Sequence, residues 1–315
     1  MNKSFSRVRS GRAVRACVTS GVIAALLSSQ PAFASPYSDI NAAAKAGPVT
    51  VQQLRGNISM LQGSGGNITA LAGQDGFFMV DAGIAVSKDM IVAALKSIHP
   101  GKIKLAVNTH WHWDHADGNE WVRAGGASII ADRNAIKRLK QTIRVVEWEH
   151  TFTPISAKAL PNIQIVGDRN LKINGEDVFI RHYKSGHTDG DISVYFAKAD
   201  ILSVGDTFWN GQYPFIDYVT GGSIDGAIAA ANANITMSTE HTIIVPGHGP
   251  VGNRSSQIEF RDMLVSVRDR VARLKAQGKT LEQVQAMTPT VDFDAKWGRS
   301  VIKGSLFTAL VYRGV

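Results

Sequence analysis

The chain has 315 residues, 44% of them hydrophobic and 19% charged, with a formal net charge of +8. That length gives one large domain or two modest ones, and the balance is that of an ordinary soluble globular protein. The basic charge is concentrated at the N-terminus, and no Lys/Arg cluster elsewhere lays a track for phosphates, which excludes nucleic acid as an expected partner.

Lys3, Arg7, Arg9, Arg12 and Arg15 form a basic region without an acid. An apolar run from about Ala16 to Leu27 follows, then Ala32-Phe33-Ala34 ahead of Ser35. This is the layout of a secretory signal peptide over 1–34, cleaved after Ala34. The run is shorter than the roughly 20 apolar residues of a membrane span, so no stable membrane anchor is expected after cleavage. The expected location is the periplasm or the exterior. Setting aside those five of the 34 basic residues leaves 29 against 26 acidic ones, a net charge of +3. The single cysteine, Cys17, lies in the leader, so disulfides and thiolate metal ligands are both excluded from the mature chain.

Residues 35–48 read as a loose lead-in, and 49–315 as one domain. From Val49 to Asp81, short β-rich runs at Ile58–Leu61, Ile68–Ala72 and Phe77–Val80 are broken by glycine, with Gly65-Gly66 as a hairpin turn. Met90 to Ile98 has helical spacing and stops before Pro100. Leu105–Val107 predicts a buried strand, Glu120–Ala124 a short helix and Ser128–Ala131 another strand. The second half predicts strands at Val178–Ile180, Ile192–Phe196, Ile201–Val204 and Thr242–Val245, with a helix from Ile224. Ser256 with Glu259 reads as a capping box opening a helix whose face carries Phe260, Leu264, Val267, Val271 and Leu274, ended by Gly278. Thr280 with Gln283 caps a further short helix.

The chemistry-bearing residues share one address. His110-Trp111-His112-Trp113-Asp114-His115 puts four ligand-type side chains into six residues just past the strand at Leu105. His187 lies in Ser-Gly-His-Thr-Asp-Gly-Asp, Asp206 in Val-Gly-Asp-Thr and His248 in Pro-Gly-His-Gly-Pro, each beyond the end of a β-run. Imidazole and carboxylate are the common protein donors to zinc and similar divalent ions, so the set predicts a metal centre, and two metals rather than one. A lone histidine is more often an ordinary surface or core residue, and His99, His150, His182 and His241 are read so.

These stretches, in this order and together with Asp81-Ala82-Gly83, resemble the metallo-β-lactamase superfamily over roughly Val49 to Val315. The resemblance implies a four-layer αββα sandwich with a dinuclear site, usually zinc, with iron or manganese as alternatives. It implies that His110, His112 and His187 hold one metal, that Asp114, His115 and His248 hold the other, and that Asp206 bridges them. Asp114 would also orient a metal-bridging hydroxide, making it the expected catalytic residue. By position, Asp81 and Asp191 are expected to brace the ligand imidazoles from behind.

Asp206 discriminates among reactions. Members with a bridging aspartate resemble glyoxalase II, lactonases and related hydrolases, whereas true metallo-β-lactamases carry cysteine or serine there. The expected reaction is hydrolysis of a small ester, lactone or thioester. A periplasmic β-lactamase, a mononuclear iron oxygenase of the persulfide dioxygenase kind and a zinc-retaining binding protein are the alternatives. Trp111, Trp113, Trp209, Tyr213, Phe215 and Ile216 are the expected substrate wall, each with packing in the core as its ordinary alternative. The same aromatic loop is a candidate homodimer contact.

Overall fold

The computed structural model describes residues 35–315. The signal peptide expected over 1–34 lies outside the described residues.

Strands of the first half are β1 (Thr50–Gln53), β2 (Ile58–Gln62), β3 (Ile68–Leu71), β4 (Phe77–Val80), β5 (Ile103–Val107) and β6 (Ser128–Asp132). A ribbon of β7 (Ile143–Val145) and β8 (His150–Phe152) precedes β9 (Ile163–Ile165). The first sheet runs β1-β2-β3-β4-β5-β6-β9, antiparallel as far as β4 and parallel beyond it. The second half supplies β10 (Arg169–Ile173), β11 (Glu176–His182), β12 (Ile192–Phe196), β13 (Ile201–Ser203) and β14 (Ile243–Val245). They form a second sheet in that order, antiparallel except for the last pair.

The continuous apolar runs follow from burial on both faces, because successive side chains of a strand point to opposite sides. Phe78 and Val80 of β4 meet Val178, Ile180, Val194 and Ile201 in the core between the sheets. Their neighbours Phe77 and Met79 join Ile91, Leu95 and Val122 on the outer face. The rings of Phe78 and Phe196 meet edge to face at 5.8 Å across the two sheets, and burying each stabilises the fold by roughly 2 kcal/mol.

The helices are α1 (Pro36–Ala46), α2 (Lys88–Ile98), α3 (Trp113–Ala116), α4 (Asn119–Ala124), α5 (Arg133–Leu139), α6 (Ile224–Met237), α7 (Arg254–Ala276), α8 (Leu281–Ala286), α9 (Val291–Trp297) and α10 (Gly304–Gly314). Residues of α2 and α4 cover the outer face of the first sheet. Those of α6, α7 and α10 cover Leu202 and Ile244 on the outer face of the second. The result is the expected αββα sandwich. No described helix is long and apolar enough to cross a membrane.

Two expectations are corrected. The lead-in at 35–48 is largely helix α1, capped by Ser35, whose Oγ accepts from Ser38 N at 3.2 Å, with Pro36 in the first turn. Its inward residues, Tyr37, Ile40 and Ala44, keep helical spacing within an alanine-rich segment of weak contrast. The capping box of α7 is Asn253 with Ser256 rather than Ser256 with Glu259. Asparagine is a strong N-cap, so the helix starts three residues earlier, and the Ser256 hydroxyl accepts from Asn253 N at 2.8 Å. The box of Thr280 and Gln283 is present as expected. Beyond the predicted elements lie β1, α3, α5, the β7–β8 ribbon, β9, β10, α9 and α10.

Candidate metal centre

Strand ends from both sheets deliver the donors. His110 follows β5, and His112 is the N-cap of α3, whose first residues are Trp113, Asp114 and His115. His187 stands in the connection from β11 to β12, Asp206 in a tight turn after β13 and His248 after β14. His110, His112, Asp114, His115, His187 and Asp206 are all buried, and His248 is partly so.

The seven side chains form two adjoining groups. Donor atoms of His110, His112, His187 and Asp206 lie within 4.8 Å of one another, and so do those of Asp114, His115 and His248. Asp206 reaches both groups. Its Oδ2 is 3.4 Å from His187 Nε2 and 3.4 Å from His248 Nε2, while its Oδ1 is 2.9 Å from His115 Nε2. His112 Nδ1 lies 2.8 Å from His187 Nε2, and Asp114 Oδ2 3.2 Å from His248 Nε2. His110 Nε2 is buried without a hydrogen-bond partner. Such an orphan costs about 1–3 kcal/mol unless something else takes its lone pair. An all-imidazole and carboxylate set of this kind fits zinc, and also iron or manganese.

Behind the donors, further groups fix which nitrogen faces the centre. Thr109 Oγ1 is 2.9 Å from His110 Nδ1, and Asp81 Oδ2 is 2.8 Å from His115 Nδ1. Asp217 Oδ2 is 3.0 Å from His112 Nε2, and His187 Nδ1 donates to the Phe215 carbonyl at 2.8 Å. The inward atoms are therefore Nδ1 of His112 and Nε2 of the other histidines. Asp81 adopts φ 67°, a left-handed conformation that aspartate tolerates better than most residues. It also accepts from Thr109 N at 2.7 Å and Thr109 Oγ1 at 2.9 Å, so one carboxylate ties β4, β5 and α3 together.

Asp191 departs from its expected place behind an imidazole. It accepts from Thr188 N at 2.9 Å and from the Thr188 hydroxyl, closing the loop that carries His187. Asp217 is the brace that the motif pattern passes over. Its signal is an acid inside the apolar run Pro-Phe-Ile-Asp-Tyr-Val, where a buried carboxylate needs partners. Those partners are His112, the Thr220 hydroxyl and the amides of Val219 and Thr220.

Without metal, His110 and His187 of the first group are shifted in the opposite direction to His115 and His248 of the second. Burial drives His187 down to about 4, and burial with the neighbouring His115 holds His110 well below its usual value. Burial also opposes charge on His248, but Asp206 and Asp114 outweigh it and carry that imidazole up to about 9. His115 is raised well above the usual range by Asp206, Asp114 and Asp81 against the same penalty. Burial alone would raise Asp206, yet His248, His115, His110 and His187 hold it well below the normal carboxylate range. Burial also pushes Asp191 up to about 7, Thr188 only partly offsetting it.

A cavity of about 250 Å³ opens over the donors. Its walls include Trp113, Trp148, Trp209, Phe215, Ile40 and Val301, with Gln212 and Ser300 as polar members. Trp209 leans on the His248 ring at 4.2 Å, and Trp148 packs on Phe215 at 5.1 Å. Of the expected substrate wall, Trp113, Trp209 and Phe215 are placed here. Trp111 is not. It donates to Thr220 Oγ1 at 3.0 Å and lines a separate cavity of about 200 Å³ with Tyr37, His150 and Phe152. Tyr213 is fully buried, stacked on Phe307, with its hydroxyl bonded to Thr290 O and Asp294 Oδ1. Ile216 is likewise core. Asn210 spends its amide on the carbonyls of Pro250 and Val251.

Residues 61–257 match the family model described as the metallo-beta-lactamase superfamily. A probable metallo-hydrolase of Bacillus subtilis is 29% identical over 143 residues, 45% of this chain and 66% of that protein. A hydroxyacylglutathione hydrolase of Erythrobacter litoralis is 36% identical over 101 residues, which is 32% of each chain. Among solved structures, a stereoselective inverting sec-alkylsulfatase from Pseudomonas superposes with a TM-score of 0.62 at 17% identity, covering 84% of this chain and 50% of its own. A metallo-β-lactamase from Pontibacter korlensis gives 0.57 at 18% identity, covering 69% and 99%. At those identities the structural likeness speaks for the fold alone.

Proposed function

This chain belongs to the metallo-β-lactamase superfamily of metal-dependent hydrolases, and we propose that it is an exported, dinuclear enzyme that cleaves a small ester, lactone or thioester. The observation that carries the dinuclear reading is Asp206, one carboxylate within 3.4 Å of donors in both groups. Two divalent ions held there, zinc being the natural choice for these donors, would supply hydroxide at neutral pH and polarise the scissile carbonyl.

The chain's own residues do the rest. The carboxylates of Asp114 and Asp206 would offset part of the metal charge, and Asp114, open to the cavity, would orient the attacking group. Trp113, Trp148, Trp209 and Phe215 shed water from an apolar acyl arm. Export rests on the leader-like pattern of 1–34.

The aspartate at 206, where true metallo-β-lactamases carry cysteine or serine, weighs against β-lactam hydrolysis. The experiment is to offer the zinc-loaded protein a chromogenic cephalosporin beside an acyl-homoserine lactone. Lactone turnover without lactam turnover supports the proposal, and strong lactam turnover overturns it in favour of a β-lactamase. Asp206→Ala lowers metal content and rate together if the carboxylate bridges. Unchanged activity in that variant removes the bridging assignment.

A further inference from the structure

The turn from β2 to β3, Gly63-Ser64-Gly65-Gly66-Asn67, lies against the residues of one donor group only. Gly66 N donates to Asp114 O at 3.1 Å. Gly65, at φ 84°, passes so near that a Cβ would stand 2.6 Å from Asp114 Cβ. A Cβ on Gly66 would run into the His115 ring, 2.7 Å from Nδ1 and nearer still to Cε1 and Nε2. Asn67 Nδ2 donates to Pro246 O and to Gly249 O, each at 2.9 Å, and Asn67 N donates to Gly247 O at 2.8 Å. Three carbonyls around His248 are thus held by one residue that is only 7% exposed. Among the described residues, no hydrogen bond from this turn goes to His110, His112 or His187.

The asymmetry matters because the two donor groups are supported differently. Thr109, Asp217 and the Phe215 carbonyl hold the imidazoles of the first. In the second, Asp81 holds His115, while His248 sits in Pro-Gly-His-Gly-Pro after β14, tied by a backbone bridge to Trp209 and with no side-chain hydrogen-bond partner behind its ring among the described residues. His115 and His248, 133 residues apart in the chain, must nonetheless bring their Nε2 atoms to 3.4 Å. The 63–67 turn packs on His115 and grips the His248 loop at once. The Gly205–Asn210 segment also holds that loop, through Gly247 N to Gly205 O and Asn210 N to His248 O, but it carries Asp206 and so serves both donor groups.

We infer that this turn sets occupancy of the second metal position, formed by Asp114, His115 and His248, independently of the first. Asn67 and Gly66 are its positioning residues. Asn67 fixes where His248 stands, and the bare Cα of Gly66 leaves room for His115 to face it. The inference rests on the dinuclear reading and adds to it a device that decides between one ion and two.

The test counts metal rather than turnover. Wild type, Asn67→Ala, Asn67→Asp and Gly66→Ala are loaded with zinc, dialysed and analysed by plasma mass spectrometry, and Co²⁺ titration resolves the two positions spectroscopically. Asn67→Asp keeps the shape and removes the two donated bonds, so it carries the test if the alanine variants do not fold. The expected result is two equivalents in wild type and one in folded variants, with affinity for the second ion about 10- to 100-fold weaker. Two ions bound at wild-type affinity in the variants overturn the inference, and so does loss of both ions from a folded Asn67 variant. A single equivalent in wild type overturns the dinuclear reading itself and the inference with it.

Discussion

His112 and Asp217, 105 residues apart in the chain, meet at 3.0 Å between Nε2 and Oδ2, so His112 turns its other nitrogen, Nδ1, toward the metal centre. The carboxylate sets both the tautomer and the ring's aim. Burial would raise its pKa, but His112 and the Thr220 hydroxyl hold it below the usual carboxylate value. Asp217→Asn keeps the turn that it caps and removes the charge. Affinity of the first metal position should fall about 10- to 100-fold, measured by competition with a chromophoric zinc chelator. Wild-type affinity in that variant would reduce Asp217 to a loop residue.

Metal loading should depend on pH at one position more than at the other. In the metal-free chain, the raised pKa of His248 means that its ion pairs with Asp206 and Asp114 stabilise the fold fully below about pH 6.5, a contribution lost as pH rises through about 9. A metal must displace that proton, so its affinity for the second position should rise about tenfold per pH unit up to that point, or more steeply where His115 also loses one. In the first group, His187 at about 4 and His110, low as well, hold no proton near neutrality for a metal to displace, so these two donors add little pH dependence there. Equilibrium dialysis with zinc limited by a buffer-chelator, at about pH 6 and about pH 8.5, should give one equivalent and then two. Equal loading at both values would contradict this electrostatic asymmetry.

Tyr213 offers a control on where the aromatic wall ends. Its hydroxyl bonds Asp294 Oδ1 at 2.9 Å and Thr290 O at 3.1 Å, and its buried ring does not line the cavity over the donors. Tyr213→Phe should cost about 1 kcal/mol of stability and leave metal content and substrate preference unchanged. Urea unfolding together with steady-state kinetics decides it, and an altered preference would return Tyr213 to the cavity wall.

Phe215 plays two separable parts. Its carbonyl holds His187, and its ring lines the cavity beside Trp148. Phe215→Leu preserves the carbonyl and widens the cavity, at a cost of about 1 kcal/mol. Bulkier acyl arms should gain in kcat/KM relative to small ones, with zinc content intact. Loss of zinc would show that the ring, and not only the backbone, supports His187.

The seven residues that the fold gathers at one place were legible in the sequence because each lies in a short Gly- or polar-rich segment soon after a strand, a local signal. The walls were not, because what covers a cavity is decided by segments remote in the chain. Trp148 arrives from the ribbon joining β7 to β8, Ile40 from α1 and Val301 from the stretch before α10. Tyr213 and Phe215 are two residues apart and look alike in composition. Only α9, bringing Asp294, shows that the first belongs to the core. Asp217 and Asn67 escaped a motif-led reading for a related reason. Each acts on a histidine loop more than 100 residues away, and neither is itself a ligand-type residue in a ligand-type pattern.

The family match ends at residues 61 and 257 and encloses all seven donors, whereas Ile40 on one side and Ser300 and Val301 on the other complete the cavity from outside it. The donors thus come from one stretch, while the wall above them is shared between that stretch, which gives Trp113, Trp148, Trp209 and Phe215, and its flanks. A relative that shares only the inner stretch shares the seven donor positions and most of the wall, but not Ile40, Ser300 or Val301. A search for proteins with this chain's substrate should accordingly weigh likeness at α1, around Val301 and at Trp113, Trp148, Trp209 and Phe215 above likeness at the histidines.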